Sequence, residues 1–182
     1  MRLRRAAWDL AEWRDFRAPW TRRPFDRGAG IDRVIEEVHA FAALSDSPSF
    51  AKDYLFLDTQ PVRHLSQEIR IRQGDSTPDY DRWEARLVDL SRNRTLVRAR
   101  HGPGPGYRQG VTRAAVIAAF DALRTSLDQF RLEADADLAA ALQQELAGAV
   151  AAYEALKARS GALDFLDLLL EARDLVRDNA IV

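Results

Sequence analysis

The stretch GALDFLDLLLEARDLVRDNAIV, from Gly161 to Val182, has the pattern of a helix with a marked start. Ser160-Gly161 predicts the end of a preceding helix, because glycine adopts the left-handed conformation at a helix C-terminus without strain. Asp164 is placed to cap the next helix, and Asp167 adds negative charge to its first turn, where the helix dipole favours it. The apolar face that follows consists of Phe165, Leu166, Leu169, Leu170 and Val176. The stretch therefore predicts a capped amphipathic helix.

The longest periodic region lies upstream, from Thr112 to Arg159. Its apolar residues recur at spacings of three or four, a pattern typical of helices that pack in a bundle. The run EADAD at residues 133–137 interrupts this spacing. We therefore expect two helices here, or one helix bent near Ala134.

Three more helices are predicted in the first half of the chain. Ile31 to Ser45 is amphipathic, and Pro61 suits the first turn of a second helix. Thr77 is expected to cap a third, with Pro78 at its first position. The predicted fold is mainly α: an irregular multi-helix bundle with one long helix, bent or broken, a short C-terminal helix, and little or no β structure.

Composition excludes several classes of protein. The 182 residues are 47% hydrophobic and 30% charged, with a net charge of −1 and no cysteine, as expected for a globular protein without disulfides or thiolate metal sites. No apolar run approaches the roughly 20 residues of a membrane span, so we expect no membrane partner. The basic start of the chain lacks the apolar core of a signal peptide, and we expect a cytoplasmic location.

Charge is distributed unevenly. Residues 1–110 hold 20 Lys and Arg against 16 Asp and Glu, whereas residues 111–182 hold 7 against 12. The first part could therefore face an anion, although solvated helix faces of mixed sign explain the same counts.

One basic segment, residues 92–108, contains no acidic residue and continues into the loop HGPGPGYRQG at residues 101–110. Gly-rich basic loops can approach a phosphate backbone closely, because their amides are unhindered. A long mobile connector, rich in Gly and Pro because nothing constrains it, explains the composition of this loop equally well. The DNA-contact candidates, which include two arginines of an Arg/Trp-rich N-terminal arm, are Arg92, Arg94, Arg98, Arg100, Arg108, Arg22 and Arg23.

The aromatic residues of this arm, among them Trp8, Trp13 and Trp20, are interleaved with arginines. They could stack on bases of single-stranded nucleic acid. Packing of the arm onto a helical core is the favoured interpretation, because three exposed tryptophans in a short stretch would be costly.

The run YEALKARSGALDFLDLLLEARDLVRDN, Tyr153 to Asn179, resembles one segment of the UvrD-like superfamily 1 DNA helicases, especially the AddA and RecB type. In that family a helix with the pattern Y…K…G-x-x-D-F-x-D-L-L leads from accessory subdomain 1B into motor subdomain 1A. A weaker similarity covers Trp8 to Arg27 and Asp53 to Arg72. The positions that match D-F-x-D-L-L, for which we expect a structural role, are Asp164, Phe165, Asp167, Leu168 and Leu169.

The resemblance implies that residues 1–160 form a 1B-like accessory region and that residues 161–182 belong to subdomain 1A. The chain would then stop just before the Walker B motif. The implied partners are DNA and the remainder of the helicase motor. ATP and Mg²⁺ are implied for the parent helicase, and no cofactor is expected for this chain.

Catalytic motifs are missing from the sequence. Neither lysine stands in a phosphate-binding loop, because Lys52 precedes Asp53 and Lys157 precedes Ala158, and there is no Asp-Glu pair. We therefore expect no catalytic or metal-binding residue and no activity of the chain alone. Two other classes stay open: a noncatalytic helical protein-interaction module, and a carboxylate–metal enzyme built on Asp164 and Asp167.

Overall fold

The computed structural model describes residues 2–12, 20, 24–73, 78–102, 104–107 and 110–178 of the chain. These residues form eight helices and no strand, so the prediction of a mainly α fold is confirmed for the described part of the chain. The helices are α1 (Arg2–Glu12), α2 (Arg27–Leu44), α3 (Tyr54–Asp58), α4 (Gln60–Gln73), α5 (Tyr80–Ser91), α6 (Arg94–Val97), α7 (Arg113–Ser160) and α8 (Phe165–Asp178).

The chain divides into two compact units. The first unit combines residues 1–22 with residues 136–182, and the second is residues 23–135. The predicted boundary between residues 160 and 161 concerns membership of a larger protein, and it stays a prediction.

The core of the second unit is the apolar stripe of α2 packed on α4 and α5, with the first part of α7. Aromatic contacts join these helices, since the rings of Phe41 and Phe120 lie 5.8 Å apart and those of Phe25 and Phe130 lie 6.0 Å apart. The most deeply buried side chains are Ile31, Val34, Val38, Leu55, Val62, Ile69, Leu87, Val116, Phe120 and Phe130.

Aspartates cap the helices of this unit. Asp26 accepts a hydrogen bond from the Ala29 amide at the start of α2, and Asp79 accepts one from the Arg82 amide at the start of α5. The prediction that Thr77 caps the third helix is wrong, because α5 begins at Tyr80 with Asp79 as its cap. Aspartate accepts from the free amides as well as threonine does and adds a charge that the helix dipole favours.

Helix α7 is continuous from Arg113 to Ser160, so of the two predicted alternatives the single long helix is confirmed and two separate helices are not formed. The run at residues 133–137 stays helical because its Ala and Glu residues are good helix formers. Side-chain pairs one turn apart add support, with Gln129 bonded to Glu133 at 2.7 Å and Arg131 paired with Asp135 at 3.5 Å.

The end of α7 follows the sequence prediction. Gly161 has φ of +63°, and the amide of Ala162 donates to the carbonyl of Lys157 at 3.2 Å. This is the hydrogen bond of a Schellman motif, in which the left-handed residue lets the chain fold back onto the last turn.

The first unit contains α1, the C-terminal part of α7, and α8. Trp8 meets the ring of Tyr153 edge-on with centroids 6.2 Å apart, and the backbone amide of Trp20 donates to Gln143 at 2.7 Å. Trp8 thus contacts α7 through its ring and Trp20 through its backbone amide, and 58% and 43% of their surfaces stay exposed. Trp13 lies outside the described residues.

Candidate nucleic-acid interface

Helix α6 is a single turn that presents the basic segment at residues 92–100. Asn93 caps it by accepting from the amides of Thr95 at 2.9 Å and Leu96 at 3.3 Å. Leu96 is 2% exposed and anchors the turn in the core of the second unit. A four-residue helix is too short to be stable alone, so this cap and this buried leucine hold it in place.

Arg94 and Arg98 lie four residues apart on this turn, and both are exposed. Residues at this spacing are neighbours on a helix surface. Among the described residues, no carboxylate lies within ion-pairing distance of either guanidinium. These two side chains therefore offer two adjacent positive charges to an external anion.

Arg92 is already paired. Its guanidinium contacts the carboxylate of Asp135 at 3.1 Å, and Arg131 approaches the same carboxylate at 3.5 Å. Phosphate would have to compete with this carboxylate for Arg92.

Arg100 is also paired, with Asp58 at the end of α3. Its backbone amide and its Nε both donate to Asp58 Oδ2, at 3.0 and 2.8 Å, and its Nη2 donates to Oδ1 at 2.8 Å. These hydrogen bonds lower the pKa of the Asp58 carboxyl below its usual value. The same guanidinium lies over the ring of Tyr54, 3.9 Å from its centroid.

The Gly/Pro loop that follows is anchored as well. Arg113 pairs with the buried carboxylate of Asp53 and donates through Nε to the carbonyl of Gly102 at 2.8 Å. The hydroxyl of Tyr107 donates to Asp53 at 3.3 Å, and burial together with the charge of Asp53 raises the pKa of Tyr107 to about 12. The amide of Ser49 donates to the carbonyl of Gly106 at 3.2 Å. The described part of the loop is therefore tied to the unit at several points, unlike a mobile connector.

One glycine of this loop, Gly104, lies close to an internal ion pair. A Cβ at Gly104 would lie 2.8 Å from the guanidinium of Arg113 and 3.1 Å from the Asp53 carboxylate. We expected the glycine backbone of this loop to approach phosphate closely. At Gly104 it instead lies against the internal ion pair between Arg113 and Asp53.

Three of the predicted DNA-contact residues, Arg22, Arg23 and Arg108, lie outside the described residues. The described candidates thus separate into two exposed arginines, Arg94 and Arg98, and two that are ion-paired, Arg92 and Arg100. The sequence could not make this separation, because Asp58 and Asp135 lie about 40 residues from the arginines that they bind.

A second cluster of polar side chains lies in the first unit, at the start of α8. The amide of Asp167 donates to Asp164 Oδ1 at 3.0 Å, and the amide of Asp164 donates to Asp167 Oδ2 at 2.8 Å. This reciprocal pair is a capping box, so the predicted cap at Asp164 is present.

Two residues of α7 complete this cluster. The Nζ of Lys157 lies 2.8 Å from Asp164 Oδ2 and also contacts Asp167, and the hydroxyl of Tyr153 donates to Asp164 Oδ2 at 3.0 Å. Lys157 is only 11% exposed. The tyrosine, lysine, glycine and two aspartates of the pattern Y…K…G-x-x-D-F-x-D thus meet in one local structure.

The apolar positions of the same pattern are uncovered. Phe165 is 75% exposed and Leu168 and Leu169 about half exposed, and Val176 further along α8 is 76% exposed. We call this surface the α8 face, defined by Leu163, Phe165, Leu168, Leu169, Leu175 and Val176. A run of exposed apolar residues of this kind is typical of a surface that contacts another molecule.

Two structural features are absent from the described part of the chain. No group of three or more His, Asp or Glu side chains there could hold a metal ion. No helix among the described residues has both the length and the apolar character needed to cross a membrane.

Comparison with protein-family models, with curated proteins and with solved structures finds no match to this chain. The resemblance to UvrD-like helicases therefore rests on the residues of the quoted segment.

Proposed function

We propose that this chain is a noncatalytic helical accessory region of a UvrD-like, AddA-type DNA helicase. In this proposal the parent protein uses ATP and Mg²⁺ to unwind DNA in repair or recombination. The chain itself contributes DNA contacts through α6 and packs on the motor through α8. It hydrolyses no nucleotide.

The observation that carries the proposal is the convergence of the quoted pattern in space. Tyr153, Lys157, Gly161, Asp164 and Asp167 are spread over 15 residues, yet they form one cap, one helix end and one ion-pair cluster. A chance match would place these residue types at the right spacing without such mutual contacts. The pattern is therefore a structural unit, as the proposed helix junction requires.

The exposed side of α8 fits the same proposal. The capping box orients the helix, and the apolar residues that follow it remain uncovered. In the parent helicase this face would pack on subdomain 1A.

DNA contact is assigned to Arg94 and Arg98, which are exposed and unpaired within the described part of the chain. Phosphate contacts supply most of the sequence-independent affinity of proteins for DNA, and they come mainly from Arg and Lys. Arg92 and Arg100 are second-rank candidates, because each would have to leave a carboxylate.

The test is a fluorescence-anisotropy titration at low salt with single-stranded and duplex oligonucleotides. We expect binding that weakens about tenfold or more in the double variant Arg94→Ala/Arg98→Ala. The matched control is Arg33→Ala/Arg70→Ala, which removes two exposed arginines from α2 and α4 with the same change in net charge.

A second candidate function is a noncatalytic helical protein-interaction module with no affinity for DNA. The exposed α8 face favours it, because that face needs no DNA to explain it. If the folded chain binds neither oligonucleotide at low salt, or if both double variants weaken binding equally, the helicase proposal fails and this alternative takes its place.

A further inference from the structure

The surface beside α6 carries two exposed aromatic rings and a flat guanidinium. Phe50 is 53% exposed and Tyr54 is 58% exposed, and the Arg100 side chain, 54% exposed, lies over the Tyr54 ring. Nonpolar rings of this size are normally buried or used in contacts. We call these three side chains the aromatic platform.

The platform is held in place by its neighbours. Asp53 caps α3 through the Phe56 amide at 2.8 Å and donates its own amide to the Phe50 carbonyl at 3.0 Å, which fixes the turn between the two rings. Asp58 fixes the guanidinium of Arg100 with three hydrogen bonds. The turn and the guanidinium plane of Arg100 are therefore ordered before any ligand arrives, so little of their freedom is lost on binding.

We propose that the aromatic platform is a base-stacking site for single-stranded DNA, a proposal that rests on the proposed function. Bases stack on aromatic rings and on guanidinium planes, and this stacking is tolerant of sequence. The pair Tyr54–Arg100 already shows that this ring accepts a planar cation on its face.

Charge around the platform suits the phosphates on either side of a stacked base. Lys52 lies between Phe50 and Tyr54 in the chain and is exposed, and the exposed Arg98 precedes Arg100 by two residues. Asp58 is occupied by Arg100, so the pair adds no free negative charge. Exposed cations close in the chain to exposed rings match the composition of single-strand grooves, which combine positive charge with aromatic side chains.

A purely structural explanation is that Tyr54 and Arg100 only attach the segment after α6 to α3. That role requires the Arg100–Asp58 contact, but it gives no reason for the exposure of Phe50. A protein partner would also cover the rings, and the experiment below separates that case.

The test compares two strands of equal length and charge, an oligothymidine and the corresponding abasic strand, by fluorescence anisotropy. Both offer the same phosphates, so only the bases differ. We expect oligothymidine to bind at least about fivefold more tightly, the lower end of what one stacked base contributes. We expect this ratio to fall toward one in Phe50→Ala and Tyr54→Ala.

Two further variants guard against indirect effects. Tyr54→Phe keeps the ring and should keep the ratio, whereas loss of the ratio in Tyr54→Phe would overturn stacking as its cause. Phe165→Ala removes a more exposed ring from α8 in the other unit and should leave the ratio unchanged. Circular dichroism of each variant checks that it remains folded.

The possible failures are distinguishable. If wild-type protein binds neither strand, the proposed function fails together with the platform. If both strands bind equally and only Arg94→Ala/Arg98→Ala weakens them, DNA contact stands and the platform is wrong, which leaves a protein surface as its use. If Phe50→Ala and Tyr54→Ala leave an existing preference for oligothymidine intact, stacking occurs elsewhere and the platform is again wrong.

Discussion

Asp58 holds Arg100 through three hydrogen bonds, while Arg98, two residues earlier, reaches solvent without a carboxylate in the described part of the chain. The two arginines are equivalent in the sequence but not in the structure. Asp58 is 10% exposed at its side chain, so removal of its charge would leave Arg100 without its main partner.

We expect Asp58→Asn to lower the free energy of unfolding at pH 7 by about 1–2 kcal/mol, since hydrogen bonds to charged groups contribute somewhat more than neutral ones. The lower part of the range applies because solvent screens the half-exposed Arg100. Arg100 lowers the folded-state pKa of Asp58. Its stabilisation is therefore fully present above the unfolded pKa of about 4 and is lost as the pH falls below it through the folded value.

Urea denaturation followed by fluorescence of the buried Trp83 measures this effect at pH 7 and near pH 3. The difference between wild type and Asp58→Asn should shrink at the lower pH, whereas the exposed Asp121→Asn should match wild type at both. A difference that stays constant or grows on acidification would show that the Asp58 charge is not the stabilising group.

Single residues were predictable from the sequence where their partners are near in the chain. Gly161 and the Asp164 cap depend on neighbours within a few positions, and both were identified. The partners of Arg92 and Arg100 depend on tertiary packing, and so the sequence could not assign them. At the start of α5 the capping residue is Asp79, two positions after the predicted Thr77, which lies outside the described residues.

Helix α7 contains one glycine in its interior and ends at another. A Cβ added at Gly148 would meet no atom within 4 Å, and the same is true of Gly161, but only Gly161 has a positive φ. Space is therefore equal at the two sites and backbone conformation differs.

The two alanine substitutions should change stability in opposite directions. We expect Gly148→Ala to stabilise the chain by about 0.5–1 kcal/mol, because alanine has the higher helix propensity. We expect Gly161→Ala to destabilise it by about 1 kcal/mol, because a non-glycine residue is strained in the left-handed region. Thermal unfolding followed by circular dichroism should show shifts of about 2–4 °C per kcal/mol, and shifts of the same sign would contradict the helix end described here.

The polar groups at the start of α8 are hydrogen-bonded in the capping box, whereas the α8 face is exposed. The half-buried Leu166 and Leu170 are the more covered members of the apolar face that the sequence predicted for α8. Phe165 and Val176, both part of that predicted face, are about three-quarters exposed.

We expect Phe165→Ser/Val176→Ser to change the free energy of unfolding by less than about 0.5 kcal/mol, because exposed side chains contribute little to stability. Phe120→Ala, which empties a fully buried site, should cost about 3–5 kcal/mol in the same urea denaturation. Strong destabilisation by the double serine variant would mean that the α8 face is covered within the chain and is not a docking surface.

Longer helices were predictable because apolar spacing repeats over several turns in α2, α4 and α5. The short helices α3 and α6 were not assigned from the sequence, since a single turn contains too few positions for apolar periodicity to be visible. Apolar spacing alone left α7 open between two helices and one, and the chain stays continuous because the interruption carries no helix-breaking residue.

The whole chain combines a helical unit with an exposed pair of arginines and a unit with an exposed helix face. Neither unit contains, among the described residues, a cluster of side chains suited to hold a metal ion. The proposed role of the chain is contact, with DNA through α6 and with the motor through α8.

The most direct test is the salt dependence of single-strand binding, measured by anisotropy between about 50 and 200 mM salt. Each phosphate contact adds about 0.7 to the slope of log affinity against log salt for a single strand. We expect a linear decrease whose slope is smaller by about 1.4 in Arg94→Ala/Arg98→Ala and unchanged in Arg33→Ala/Arg70→Ala. Affinity that does not depend on salt, or an equal slope in wild type and the Arg94/Arg98 variant, would contradict DNA contact through α6.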